Sequence, residues 1–177
     1  MRKWLIGSAV LAVVALISSP VSASPLTEKQ QETSFSASYQ DIDNFGKTIQ
    51  IDGEWQWILG NGYHEIGAIL SYLKDDPDTG PSNDATIIGP SYTFNWMPAN
   101  DKVTGFVHGA FGFVSGDLGD VFDNAFQAGV GAKVFAGDSA AVRFEYFFQR
   151  FMGADNFDDQ DSQGLRIGIS IFFGNSK

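Results

Sequence analysis

The sequence predicts an all-β fold, an eight-stranded antiparallel up-and-down transmembrane β-barrel, and three observations predict it. After residue 23 no segment carries apolar residues at helical spacing, whereas period-two alternation recurs in eight segments. The connections between those segments alternate between short and long. The two faces of the segments also differ in bulk: one is large and apolar, the other is dominated by Gly, Ser, Ala, Thr and Gln.

The chain opens with Met1-Arg2-Lys3, followed by an almost wholly apolar run from Trp4 to Ile17 and then Ser18-Ser19-Pro20-Val21-Ser22-Ala23. A basic start, a short apolar stretch and small residues before a cut predict a signal peptide over residues 1–23, cleaved after Ala23. The run falls short of the ~20 residues that a spanning helix needs. Residues 24–177 then form a single barrel domain. There are no cysteines, which excludes a disulfide framework, a thiolate metal site and a lipid-modified cysteine. Without Arg2 and Lys3, 9 bases face 21 acids, a net charge of −12 that argues against nucleic acid as a partner.

The segments follow in order. Phe35, Ala37 and Tyr39 alternate with Ser34, Ser36, Ser38 and Gln40; Ile49, Ile51, Gly53, Trp55 and Trp57 with Gln50, Asp52, Glu54 and Gln56. Ile66, Ala68, Leu70 and Tyr72 oppose Glu65, Gly67, Ile69 and Ser71, and Ile88, Pro90, Tyr92, Phe94 and Trp96 oppose Gly89, Ser91, Thr93 and Asn95. In the fifth, Val107, Gly109, Phe111 and Phe113 alternate with His108, Ala110 and Gly112, with Phe106 on the second set. The sixth sets Phe126, Ala128, Val130, Ala132 and Val134 against Gln127, Gly129, Gly131, Lys133 and Phe135. The seventh sets Val142, Phe144, Tyr146 and Phe148 against Arg143, Glu145, Phe147 and Gln149. The eighth sets Leu165, Ile167, Ile169, Ile171 and Phe173 against Arg166, Gly168, Ser170 and Phe172. Each accommodates the roughly 9 to 11 residues of a tilted membrane strand.

Turns are predicted at 59–62, 97–102 and 136–139, and longer polar loops at 74–84, 115–124 and 152–163; 41–46 is short where a long loop is expected. With both termini in the periplasm, the turns face the periplasm and the loops face outward. Alternation alone fits a soluble barrel equally well, so the content of the faces decides. A soluble barrel sends its bulky set inward and a long, charged set outward. Here the polar set is small enough for a crowded lumen, and Tyr39, Trp57, Tyr72 and Trp96 near strand ends suit the membrane interface. The lumen is then predicted to hold Asp52, Glu54, Glu65, Lys133, Arg143, Glu145 and Arg166, whose burial demands a paired network. Such a network is a plug, since eight strands rarely leave a water path.

Phe126-Gln127-Ala128-Gly129-Val130-Gly131-Ala132-Lys133-Val134, the Gly-Asp-Ser turn and Ala141-Val142-Arg143-Phe144-Glu145-Tyr146 resemble the penultimate hairpin of the small eight-stranded outer-membrane proteins, the opacity-protein and OmpX or OmpA-barrel type. Arg166, Gly168, Ile171 and Phe173 resemble the signal read by the outer-membrane assembly machinery, although Gly174-Asn175-Ser176-Lys177 extends past the aromatic that usually ends it. The resemblance implies a monomer in the outer membrane of a Gram-negative bacterium, in contact with its lipids and lipopolysaccharide. It implies no cofactor and a non-enzymatic role in envelope integrity or surface interaction.

Two rivals are a lipid A-modifying barrel enzyme and a narrow porin-like channel. The His-x-Ser of the deacylase type is absent, the corresponding segment reading Phe147-Phe148-Gln149-Arg150-Phe151. His64 sits near a turn on the outer face, and His108 is expected inside as a hydrogen-bonded residue, so no catalytic constellation forms. The loops carry Asp75, Asp76 and Asp78, then Asp117, Asp120 and Asp123, then Asp155, Asp158, Asp159 and Asp161. These carboxylates are candidates for divalent cations, but without an ordered ligand spacing a solvated, self-repelling loop is the plainer reading. Leu118, Val121, Phe122 and Phe157 are expected to dock a partner or to pack the loops onto the rim.

Overall fold

Residues that alternate in polarity satisfy two phases at once only when every strand is paired on both sides, and in this chain they are. The computed structural model describes residues 26, 29–42, 46–96, 102–137, 139–154 and 157–174. The leader expected over residues 1–23, the turn at 97–101, and Asp138 and Asp155 lie outside these. The strands are β1 (Gln31–Ile42), β2 (Gly46–Leu59), β3 (His64–Asp76), β4 (Asn83–Trp96), β5 (Val103–Ser115), β6 (Phe122–Gly137), β7 (Ala140–Gly153) and β8 (Gln160–Phe173). Each pairs antiparallel with its neighbour in sequence, and β8 returns to β1 to close the barrel. Closure removes the sheet edge that could not be left unpaired in lipid.

Burial follows the faces assigned by alternation along the strands, except that Val134, expected on the outer set, is buried at the turn end of β6. Phe35, Ile51, Trp55, Leu70, Ile88, Phe113, Val130, Leu165, Ile167 and Ile169 all point outward and are exposed. A continuous apolar belt of this extent has no place on a soluble protein. The strands are longer than expected, from 12 residues in β1 to 16 in β6, because pairing continues past the belt at the loop end. The loops shrink accordingly to residues 77–82, 116–121 and 154–159, the second holding a single 3-10 turn, Asp117–Asp120.

The β1–β8 seam pairs Gln31 to Ala37 against Phe173 to Ile167. Gly168 makes that approach possible: a Cβ there would lie 2.4 Å from the Phe35 carbonyl oxygen. Beyond the paired stretch, the Gln40 side-chain amide donates to the Gln163 carbonyl at 2.8 Å.

Candidate functional site

The lumen expected to be plugged is filled with side chains. It is a three-layered interior, charged in the middle and apolar at both ends. Toward the loops, Leu73, Ala85, Ile87, Phe122, Ala125 and Phe151 form one cluster, with Val114, Leu118 and Val121 packed on it. Phe122 is therefore the first inward residue of β6 rather than a rim residue, its ring 5.3 Å from that of Phe151. Toward the turns, Leu26, Ile58, Phe135, Ala141 and Phe172 form a second cluster, Phe135 and Phe172 being 5.5 Å apart. Eight strands enclose just enough width for side chains to fill, so each cluster acts as a lid.

Between the lids the seven expected residues are all buried, and the network joins them in three tiers. Nearest the turns, the Lys133 ammonium donates to Glu32 and to both oxygens of Glu65, at 2.7 and 2.9 Å. Asn95 donates to Glu65 at 2.6 Å and Ser170 to Glu32 at 2.6 Å. In the middle, Arg143 donates to Glu54 at 3.0 Å and, through Nε, to Glu145 at 3.2 Å. Above it, Arg166 donates to Asp52 and, at 3.0 Å, to Glu145, while the Gln50 amide donates to Asp52 at 2.8 Å. Glu145 thus links the middle and upper tiers.

Phe106 and Phe147 stand among these charges for an electrostatic reason. The Arg143 guanidinium lies 4.5 Å from the Phe106 ring centre, and Arg166 lies 4.8 Å from Phe147. A ring face attracts a cation that the barrel has stripped of water.

Glu32 belongs to the network and was missed by sequence reasoning, although carrying the Ser34, Ser36, Ser38 alternation back by one step reaches it. His108 was placed inside, but its partners were not legible. Its Nε2 lies 2.9 Å from Glu54 and its Nδ1 3.2 Å from Glu145. Both ring nitrogens face carboxylates, so neither is left to serve a serine nucleophile. His64 is exposed near the turns, with Nδ1 2.8 Å from the Tyr92 hydroxyl.

Three of the acidic residues hold the loop end of the barrel together. Asp75 accepts from the Thr48 hydroxyl at 2.8 Å, Asp159 accepts the Gly153 N–H at 3.2 Å, and Asp161 holds Arg150 by two bonds of 2.7 and 2.8 Å. Among the described residues no three acids or histidines converge as a metal ion would require. Of the assembly-signal positions, Arg166 points into the lumen, Phe173 is exposed outward, Ile171 lies on the same outer face, and Gly168 lines the seam with β1.

No protein-family model matches this chain, and no curated protein matches it. Among solved structures it is similar to Neisserial surface protein A, at TM-score 0.54 and 12% identity, covering 80% of this chain and 94% of that one. It is similar to the N-terminal β-barrel domain of Pseudomonas aeruginosa OprF, at TM-score 0.51 and 11% identity, covering 82% and 98%. A de novo designed transmembrane β-barrel aligns at TM-score 0.52 and 15% identity, covering 85% and 100%. At these identities the likeness lies in the fold, which is that of a transmembrane β-barrel.

Proposed function

We propose that this chain is a small, non-enzymatic outer-membrane β-barrel protein, exported by its leader, that contributes to envelope integrity or surface interaction through its exposed acidic loops. One observation carries the reading: an exposed apolar belt encircles a lumen that is closed by ion pairs between two apolar lids. The belt supplies a reason to sit in hydrocarbon. The lids and the network support a plugged lumen over a channel, and the two carboxylates on His108 support a structural histidine over a catalytic one. What remains available to partners is the lipid-facing wall and the loop end, in contact with the membrane's lipids and lipopolysaccharide. Arg166, Gly168, Ile171 and Phe173 are the residues offered to the assembly machinery.

The test is fractionation with gel mobility before and after boiling. A closed barrel in the outer-membrane fraction migrates anomalously until boiled, and recovery in the aqueous fraction without detergent overturns the reading. Two companion measurements address the rivals. Sustained conductance in planar bilayers would favour a pore, and lipid A turnover that disappears in His108→Gln would favour an enzyme.

A further inference from the structure

The wall formed by β1 to β4 carries a groove of about 280 Å³ on its outer face, lined chiefly by Phe35, Gly53, Trp55, Ala68, Leu70 and Ile88. Strand register explains its shape. Phe35, Gly53, Leu70 and Ile88 are cross-strand neighbours in one row, and Trp55 and Ala68 are paired in the next row toward the turns. Four large side chains, each more than half exposed, therefore stand around two positions with almost no side chain.

The backbone does not require glycine at position 53. A Cβ there would meet nothing closer than the Phe35 ring at 3.7 Å, an ordinary contact. At Gly67 and Gly89 on the same wall a Cβ would fall 1.9 Å from a backbone oxygen, so the sheet itself demands those glycines. Gly53 leaves room beside the Phe35 ring where the backbone would admit a side chain.

We propose that this groove seats one acyl chain of a phospholipid from the leaflet on the turn side of the barrel. The proposal rests on the membrane-barrel reading above. The groove is continuous with the apolar belt, so its occupant comes from the hydrocarbon phase, and an unfilled concavity would forfeit the dispersion contacts of its lining. It runs from the mid-strand row to Trp55, whose Nε1 donates to Gln31 at 3.2 Å; Gln31 in turn pairs with Trp57 near the turns. The polar edge of the indole is thus directed to the turn-side interface. A chain descending from that interface passes along Trp55 and ends over Gly53.

Trp55 reports on its own site. Trp57→Phe with Trp96→Phe leaves Trp55 as the only tryptophan after the leader, and Trp55→Phe with Trp57→Phe leaves Trp96. Both proteins are folded into vesicles of phosphatidylcholine brominated on its chains, then extracted and purified in unbrominated detergent. We expect both tryptophans to be quenched in the vesicles and only Trp55 to stay quenched after extraction. Gly53→Leu and Ala68→Leu, each added to the Trp55 protein, should abolish that residual quenching while keeping heat-modifiable mobility. Relief of Trp55 to the same extent as Trp96, or residual quenching untouched by both substitutions, overturns the proposal. A dimer in the extracted material, with the groove covered by a second copy, overturns it too. Absence of quenching of either tryptophan in the vesicles overturns the membrane reading itself.

Discussion

The ammonium of Lys133 on β6 lies 2.7 and 2.9 Å from the two carboxylate oxygens of Glu65 on β3, and neither side chain touches solvent. Glu32 on β1 shares the same ammonium, so one cation ties together three strands on different sides of the lumen. In a low-dielectric interior such a tie is strong only while it is complete. Removing one member leaves the others charged and without water.

Lys133→Met should accordingly destabilise the folded barrel by about 3 to 5 kcal/mol. Adding Glu32→Gln and Glu65→Gln should recover much of that loss, because the stranded charges go with the cation. Urea unfolding of the detergent-folded protein measures both. A loss below about 1 kcal/mol would mean that the site is open to water, as at an exposed ion pair.

Gly129 faces the carboxylate that holds two tiers together: a Cβ at this position would lie 1.9 Å from Glu145 Oε1. Gly129→Ala should push Glu145 away from Arg166 and His108, with a loss on the order of 2 kcal/mol for weakened bonds to charged groups. Gly53→Ala, where the same methyl makes only an ordinary contact with the Phe35 ring at 3.7 Å, should change unfolding little. Similar losses in the two variants would contradict the assignment of inner and outer faces.

On β8, Ile169 and Ser170 point in opposite directions. Ile169 is half exposed in the mid-strand row paired with Phe35, and Ser170 is enclosed beside Glu32. Ile169→Arg should raise the free energy of insertion by ~2 to 4 kcal/mol by placing a charge at mid-bilayer. Ser170→Arg meets a filled lumen and should also fail, whereas Ser170→Ala should fold with the loss of one charge-assisted bond, about 1.5 to 3 kcal/mol. Folding yield into vesicles distinguishes the three.

Seam closure and assembly are separable on the same strand. Gly168→Ala should impair refolding of the purified chain in detergent, since its methyl would collide with the Phe35 carbonyl. Phe173→Ala removes an exposed ring and should leave refolding close to wild type while lowering insertion in cells. Normal insertion of Phe173→Ala in cells would remove Phe173 from the proposed signal.

Alternation reached far because a strand has only two faces and the phase of the pattern assigns them. Phe106, the one large residue out of step with its neighbours in the fifth segment, is indeed inside, with Arg143 against its ring. The same logic placed Asp52, Glu54, Glu65, Lys133, Arg143, Glu145 and Arg166 in the lumen. It stops short of Glu32 because the alternation of small serines with apolar residues begins at Ser34. Strand ends were less legible, because polar residues at the loop end pair as well as apolar ones once the barrel has set their register.

The sequence by itself determined which residues of a strand share a face, which face meets lipid and the order in which neighbouring strands pair, since these follow from local periodicity, the bulk of the two faces and connection length. Only the tertiary structure decided height along the barrel axis. The tilt and stagger of closed strands bring Lys133 level with Glu32 and Glu65, let His108 lie between Glu54 and Glu145, and gather Phe122 with Phe151 into a lid. Those meetings join residues far apart in the chain across a shared lumen, and no pattern within a single strand encodes them.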